Sequence, residues 1–162
     1  MEGDTMRVQR CDGFSLMEVL VTVVVVAIAL LGMAGLQFTG LKASSEAHEY
    51  TLASQLAQDI MERIQANSDA RDSYYPVELD PDSALAAPKD CTVSGCAPQE
   101  MAAYDLWQWY DLLSRGAPLL PQGKLAISAV PGVAGTRVFT ATIFWGQGDD
   151  NSKKRYAFTF EI

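Results

Sequence analysis

The chain opens with a long apolar block, and the helical pattern continues beyond that block in amphipathic form. Residues 19–36, with the sequence VLVTVVVVAIALLGMAGL, are 18 in number and contain Thr22 as their only polar side chain. A helix rises about 1.5 Å per residue, so this block would span roughly 27 Å, close to the thickness of a bilayer's hydrocarbon core. The pattern predicts one membrane-spanning helix.

Two other kinds of segment share this composition. A cleavable secretory signal has an apolar region of about 7 to 15 residues followed by a small-residue cleavage site, whereas this block is longer and no such site closes it. A buried core helix would need a large domain to enclose it, and four consecutive valines make a poor soluble helix. The membrane span is therefore the favoured interpretation.

Beyond the block the helix becomes amphipathic. Between residues 53 and 64 apolar side chains recur every three or four positions, with polar side chains on the opposite side. This spacing predicts a stripe that packs against a domain. Residues 67–69 end the helix, which is expected to run over residues 14–66. The stripe consists of Ala53, Leu56, Ala57, Ile60, Met61 and Ile64.

The last forty residues alternate with period two. Three segments rich in β-branched and aromatic residues, 125–130, 137–145 and 155–162, are separated by turn sequences. Such alternation predicts a three-stranded antiparallel meander. One face of this sheet would cover the helix stripe at Leu56 and Ile60, which makes the fold class α+β.

The region between helix and sheet has a mixed pattern. Residues 68–98 carry four prolines and are expected to form an irregular surface region. Pro98 then opens a second helix, for which Gly116 is the expected stop. Its apolar and aromatic residues are too many for one narrow stripe. Packing in the core is the favoured interpretation, and a partner surface formed by Trp107, Trp109 and Tyr110 is the alternative.

One carboxylate, that of Glu18, stands at the start of the apolar block. Placing a carboxylate at the centre of a membrane helix costs about 2.5 to 3.5 kcal/mol, and less near its end, so an ionisable residue there is by default functional. The alternative is an acid in the headgroup layer, stabilised by the helix dipole. Physical reasoning alone leaves both interpretations open.

The residues around Glu18 resemble a known signal. The sequence Gly13-Phe14-Ser15-Leu16-Met17-Glu18 followed by the apolar run is similar to the class III signal of type IV prepilins and pseudopilins. The resemblance implies that a prepilin peptidase cuts after Gly13 and that the new N-terminal residue, Phe14, is N-methylated. It also implies that Glu18 is the retained family glutamate. In a filament core the α-amine and a glutamate would each be costly unless paired, so Glu18 is expected to dock onto the N-terminal amine of a neighbouring subunit.

A second resemblance concerns the downstream region. QDIMERIQANSDA at the end of the long helix and AAYDLWQW in the second helix are similar to the PilV type of minor pilin. This resemblance implies a half-membrane, half-globular ladle fold and a role in priming or entering type IV pili, in pilus biogenesis and possible twitching motility or adhesion. The implied partners are the prepilin peptidase, other minor and major pilins and the inner-membrane assembly platform.

Two alternatives to a minor pilin remain open. A minor pseudopilin of a type II secretion system shares the N-terminal signal, but the aromatic helix favours a pilus protein over a pseudopilin. An unprocessed single-pass envelope receptor or adhesin would retain its leader in the mature protein.

The resemblance divides the chain into a cleaved leader, residues 1–13, a membrane and filament-core helix, residues 14–40, and a periplasmic pilin-like domain, residues 41–162. The leader carries Arg7 and Arg10 against three acids, so the positive-inside rule supports a cytoplasmic N-terminus only weakly. Initiation at Met6 instead of Met1 would remove two of those acids. The expected location is the bacterial inner membrane and then the pilus.

Two cysteines, Cys91 and Cys96, lie in the irregular region. A zinc site would need more soft ligands than two cysteines and one distant histidine. A small disulfide loop is expected if the domain lies in an oxidising periplasm, and free thiols are expected if it lies in the cytosol.

Charge and composition argue against several other functions. The formal net charge is −8, which disfavours direct nucleic-acid binding. His48 is the only histidine and no Gly-rich phosphate loop follows a strand, so neither an enzyme nor a cofactor is expected. Asp149, Asp150 and Asn151 offer oxygen ligands for calcium, but they lack EF-hand spacing and a solvated turn is the favoured interpretation.

Overall fold

The computed structural model describes residues 15–83, 85–114, 119–147 and 153–162. The chain divides into two compact units, Met1–Ser45 (unit 1) and Glu46–Ile162 (unit 2). The α-helices are α1, Leu16–Ala66, and α2, Pro98–Ser114, and two 3₁₀ segments lie at Ser68–Tyr74 and Val133–Gly135. The strands are β1, Val77–Leu79; β2, Lys124–Pro131; β3, Arg137–Trp145; and β4, Lys154–Glu161.

Unit 1 contributes only helix among its described residues. Ser15 precedes the first turn, where its Oγ accepts a hydrogen bond from the Met17 backbone N–H at 3.3 Å and its carbonyl accepts one from Glu18 N–H at 3.0 Å. A serine in this position satisfies a backbone donor that the first turn leaves without an intrahelical partner. Every described residue of unit 1 is exposed.

Unit 2 buries the expected helix stripe. Five of the six stripe positions, including Ile60 and Ile64, are buried, and Met61 is half-buried against the same core. These side chains pack with residues of the sheet and of α2 in one hydrophobic cluster. The amphipathic pattern therefore correctly identified the face of α1 that packs in this unit.

The sheet has four antiparallel strands in the order β1-β2-β3-β4. The expected meander corresponds to β2, β3 and β4, each within one residue of the expected bounds. The fourth strand, β1, lies inside the region expected to be irregular and pairs Val77 with Ile127 and Leu79 with Leu125. Leu79 and Ile127 are buried, so core packing holds a segment that is too short to show a strand pattern.

Helix α2 begins at Pro98, as expected, and is described to Ser114; the expected stop at Gly116 lies outside the described residues. The Glu100 carboxylate accepts a hydrogen bond from Ala97 N–H at 2.9 Å, which satisfies a backbone donor at the helix start. Trp109 is 0% exposed and Tyr110 is 7% exposed. Both rings therefore pack in the core, as the favoured interpretation expects. Trp107 is half-buried.

Candidate functional site

The N-terminal site lies at the beginning of α1. Gly13 and Phe14, the expected cleavage and methylation residues, lie outside the described residues. Glu18 stands in the first turn of α1 and is exposed. Within the described residues its carboxylate makes no hydrogen bond or ion pair. The site thus presents a carboxylate that this chain's own described residues do not neutralise.

The surface that follows Glu18 is apolar. Its large side chains are between 49% exposed, at Val19 and Val24, and 76% exposed, at Leu36. Helix α1 contains an 18-residue window with mean hydropathy 2.8 that is 0% buried, and it is the one described helix long and apolar enough to cross a membrane. An apolar surface of this size needs lipid or partner helices around it.

A polar cluster, here called the base cluster, joins the end of α1 to α2 within unit 2. Arg63 donates from Nε to Asp59 Oδ1 at 3.0 Å and from Nη1 to Asp105 Oδ1 at 2.9 Å. Tyr74 Oη donates to Asp105 Oδ2 at 2.7 Å. Trp109 Nε1 donates to Asp59 Oδ2 at 2.8 Å. The base cluster consists of Asp59, Arg63, Tyr74, Asp105 and Trp109.

This cluster explains why Trp109 is buried. Asp105 is 4% exposed, and a buried carboxylate is tolerable only when paired and hydrogen-bonded. Arg63 and Tyr74 supply those contacts, and Asp59 takes the indole N–H of Trp109. Two features of the sequence indicate the cluster. Asp59 and Arg63 are spaced i, i+4, and Asp105 stands inside an aromatic run.

The surroundings of Tyr74 and Arg63 in the base cluster favour the neutral form of the tyrosine and the charged form of the arginine. Burial is the largest cause that raises the pKa of the Tyr74 hydroxyl, and its hydrogen bond to Asp105 acts in the same direction. Partial burial opposes the charge of Arg63, but its hydrogen bonds to Asp105 and Asp59 prevail and raise its pKa. The tyrosine therefore stays a neutral donor and the arginine stays a cation at physiological pH.

A second polar group links α1 to the sheet near the start of unit 2. Glu49 Oε2 accepts hydrogen bonds from Trp145 Nε1 at 2.9 Å and from Lys154 Nζ at 3.0 Å. The Lys154 hydrogen bond is the largest cause that lowers the pKa of Glu49; desolvation opposes it and Trp145 reinforces it. Tyr50 packs edge-on against the Trp145 ring with centroids 4.9 Å apart.

The expected disulfide is present between Cys91 and Cys96, with an S–S distance of 2.06 Å. Cys96 lines an open cavity of about 420 Å³ together with Arg63, Asn67 and the first turns of α2. Among the residues that the structure describes, no group of three or more His, Cys, Asp or Glu is placed to hold a metal ion. The calcium candidates Asp149, Asp150 and Asn151 lie outside those residues.

Two family models match this chain. The prokaryotic N-terminal methylation motif matches residues 8–34, and the model described as type IV pilin Tt1218, a Tt1218-like family, matches residues 35–107. The first match contains Gly13, Phe14 and Glu18, and the second begins at the residue after it ends. These matches support a type IV pilin of the Tt1218-like kind with a class III prepilin signal. Neither a curated protein nor a solved structure matches it.

The two matches cover different site residues. The methylation-motif match, residues 8–34, covers the expected cleavage site and most of the apolar block. The pilin match, residues 35–107, covers the rest of α1, the disulfide and the first half of α2, including Trp107. The long apolar helix and the small antiparallel sheet are consistent with the pilin fold. The apolar helix and the motif together indicate a single-pass inner-membrane anchor.

Proposed function

We propose that this type IV pilin is a minor pilin of the PilV type that primes the assembly of type IV pili or is incorporated into them. The observation that carries the proposal is the direct succession of the two family matches along a chain whose α1 begins with an exposed carboxylate and an exposed apolar surface. A role in assembly requires such a surface, because filament cores are built by packing the same apolar helices that first anchor the subunits.

The proposed maturation begins with cleavage between Gly13 and Phe14. Cleavage creates an α-amine at Phe14, which is then N-methylated. When the helix leaves the membrane and enters a filament, this cation and the Glu18 carboxylate both lose solvent, and each then needs an opposite charge. Glu18 of an incoming subunit pairs with the amine of its neighbour, which sets the axial position of the subunit.

The proposed orientation has the N-terminus in the cytoplasm and unit 2 in the periplasm. The Cys91–Cys96 disulfide supports this orientation, since such bonds persist in oxidising compartments and are rare in the cytosol. Prepilin peptidase, the inner-membrane assembly platform and other minor and major pilins are the proposed partners. Assignment to the PilV type rests on residues 58–70 and on the aromatic sequence of α2.

The test is the intact mass of the protein in sheared surface filaments and in membranes. We expect wild type to begin at methyl-Phe14 in both fractions. Gly13→Val should keep the leader and prevent entry into filaments. Glu18→Gln removes the charge with little change in size, so it should leave cleavage intact and reduce the filament fraction on the order of tenfold or more, as expected for an unpaired buried amine.

The matched control is Glu62→Gln, since Glu62 is exposed on the same helix but lies in unit 2. It should leave the filament fraction unchanged. A mature chain that begins at Met1 or Met6 and stays in the membrane would refute processing and favour an unprocessed receptor or adhesin. A processed chain that never reaches surface filaments, in cells with normal pili, would instead favour a pseudopilin of a secretion system.

A further inference from the structure

Among the strands that the structure describes, β1 and β4 are the two edge strands of the sheet in unit 2. At one end of β4, Arg137 and Ile162 exchange both backbone hydrogen bonds, at 2.7 and 2.9 Å. Because the backbone groups of successive residues in a strand point to opposite sides, alternate residues of β4 point toward β3 and the others point outward. The N–H and C=O groups of Arg155, Ala157 and Thr159 therefore point away from the sheet.

The same alternation can be followed across the sheet to β1. Thr142 of β3 points toward β2, where it pairs with Ala126. The backbone groups of Leu125 and Ile127, on either side of Ala126, then point toward β1, where these residues pair with Leu79 and Val77. Glu78 lies between those two β1 residues, so its backbone groups point outward. Among the described residues, no hydrogen bond satisfies the outward backbone groups of Glu78, Arg155, Ala157 or Thr159.

The two edges match in level. Glu78 pairs with Ala126, Ala126 with Thr142, and Thr142 with Ala157, so Glu78 and Ala157 lie in one row across the sheet. Both have outward backbone groups, and their side chains share the exposed face. If a second sheet is placed level beside the first, Glu78 of one copy meets Ala157 of the other as a hydrogen-bonded antiparallel pair.

The edges also match in charge. Arg155 lies in the row of Phe144 and Lys124, and Asp80 follows β1 at the same level. In level alignment Arg155 of one copy therefore stands opposite Asp80 of the next and diagonal to Glu78. The Glu78 side chain is 73% exposed, and its Oε2 lies 3.8 Å from Lys124 Nζ, which is a long ion pair. The carboxylate can therefore accept a second cation. Opposite charges across neighbouring strands stabilise such pairing.

We propose that this edge pair is an interaction surface for a second copy of the chain, with β4 of one copy added to β1 of the next in a continuous antiparallel sheet. Strand addition of this kind uses backbone hydrogen bonds for affinity and side chains for register. The β4 edge is suited to it, because its eight residues contain no proline and its register with β3 has no bulge. The proposal does not depend on which filament the pilin enters.

The direction of residues 46–66 distinguishes this pairing from a symmetric one. Two β4 edges joined antiparallel would be related by a twofold axis perpendicular to the sheet, and this axis would reverse the direction of residues 46–66 in one copy. Addition of β4 to β1 relates the copies by a sideways shift, because β1 and β4 already run in opposite directions in the chain. Residues 46–66 of both copies then run in the same direction.

The test is disulfide cross-linking between full-length chains that carry different epitope tags. One chain carries Glu78→Cys and the other Ala157→Cys, and both are produced in the same cells. A hydrogen-bonded antiparallel pair has Cα atoms about 5.5 Å apart, which suits a disulfide. We expect a cross-linked product that carries both tags. Because the product is looked for in the membrane fraction, the result does not require filament entry. Cells that produce only one of the two chains should not form it.

The matched control replaces Ala157→Cys with Thr142→Cys, in the same row but on the central strand β3. Its yield should be at background. Arg155→Glu on the Ala157→Cys chain should lower the yield about two- to fivefold, while Arg155→Lys should preserve it, in proportion to a cross-strand charge pair. Three results would each overturn the proposal. The first is an equal yield for cysteines at positions 157 and 142, and the second is a dimer joined through Ala157→Cys on both chains. The third is no product although both thiols react with maleimide.

Discussion

The two halves of α1 form one helix with opposite relations to their surroundings. In residues 16–45 every side chain is exposed, although most are apolar. In residues 46–66 a narrow apolar stripe is buried, and polar side chains cover the rest. The backbone hydrogen bonds of a helix form within the helix itself, so both halves can be helical in different environments. What differs is the solvent for which each half is built.

Because of this difference, the buried core and the exposed apolar surface lie in separate parts of the chain. Unit 2 has a core that includes the side chains of Ile60, Trp109 and Trp145, and it buries the carboxylate of Asp105 with hydrogen-bonded partners. Unit 1 has no core among its described residues and offers its apolar surface to lipid or to other helices. All three tryptophans lie in unit 2, so tryptophan fluorescence reports its unfolding alone.

The largest effect expected from this contrast is on core packing. Ile60→Ala should lower the free energy of unfolding of unit 2 by about 2 to 5 kcal/mol, because Ile60 is 0% exposed and its removal leaves a cavity. Ile28→Ala should leave that free energy unchanged, since Ile28 is 65% exposed in unit 1. Urea titration of the full chain in mild detergent, followed by tryptophan fluorescence, measures both. Equal losses would contradict the division.

The base cluster should give the next largest effect. Asp105→Asn keeps the size of the side chain but removes the charge that pairs with Arg63, so we expect a loss of about 2 to 3 kcal/mol, moderated because Arg63 is one-third exposed. Glu62→Gln, at an exposed position of α1, should cost much less because Glu62 is not a member of the base cluster. The same urea titration applies. A loss below that of Glu62→Gln would show that the cluster does not hold α2 to α1.

The disulfide should contribute about as much as a single well-packed side chain. Replacing both Cys91 and Cys96 by serine should lower the free energy of unfolding by about 2 kcal/mol, the value expected for closing a loop of this size in the unfolded chain. Val93→Ser, inside the same loop and 84% exposed, should change that free energy little. Membrane anchoring should be unaffected in all of these variants, and a solubilised double variant in cell fractionation would contradict that.

The smallest expected effect on stability is that of replacing Glu49, and its dependence on pH distinguishes it from the other effects. The hydrogen bond from Lys154 lowers the folded-state pKa of Glu49, so its stabilisation is present above the unfolded pKa of about 4.3 and is lost as pH falls through the lower folded value. Glu49→Gln should therefore reduce stability slightly at pH 7, and the difference from wild type should shrink below about pH 4. Glu62→Gln, which removes an exposed carboxylate from the same helix, is the matched control. A constant difference between pH 7 and pH 3 would exclude this cause.

The sequence by itself determined the elements with strong periodicity. The apolar block, the stripe at residues 53–64 and the alternation in three strands each reflect a repeat that matches the geometry of one element. The N-terminal signal was equally local, because Gly13, Phe14 and Glu18 occupy a fixed register within six residues. Such features depend on neighbours in the chain and can be predicted without a tertiary structure.

Only the tertiary structure decided the remaining features. The strand β1 has three residues and forms because Leu79 packs in the core and pairs with β2. Trp109 is buried, although its helix has apolar residues on several sides, and Asp59, fifty positions earlier, accepts its indole N–H. The level match of Glu78 with Ala157 likewise depends on the register of four strands. These features join residues far apart in the chain, and no local repeat encodes such contacts.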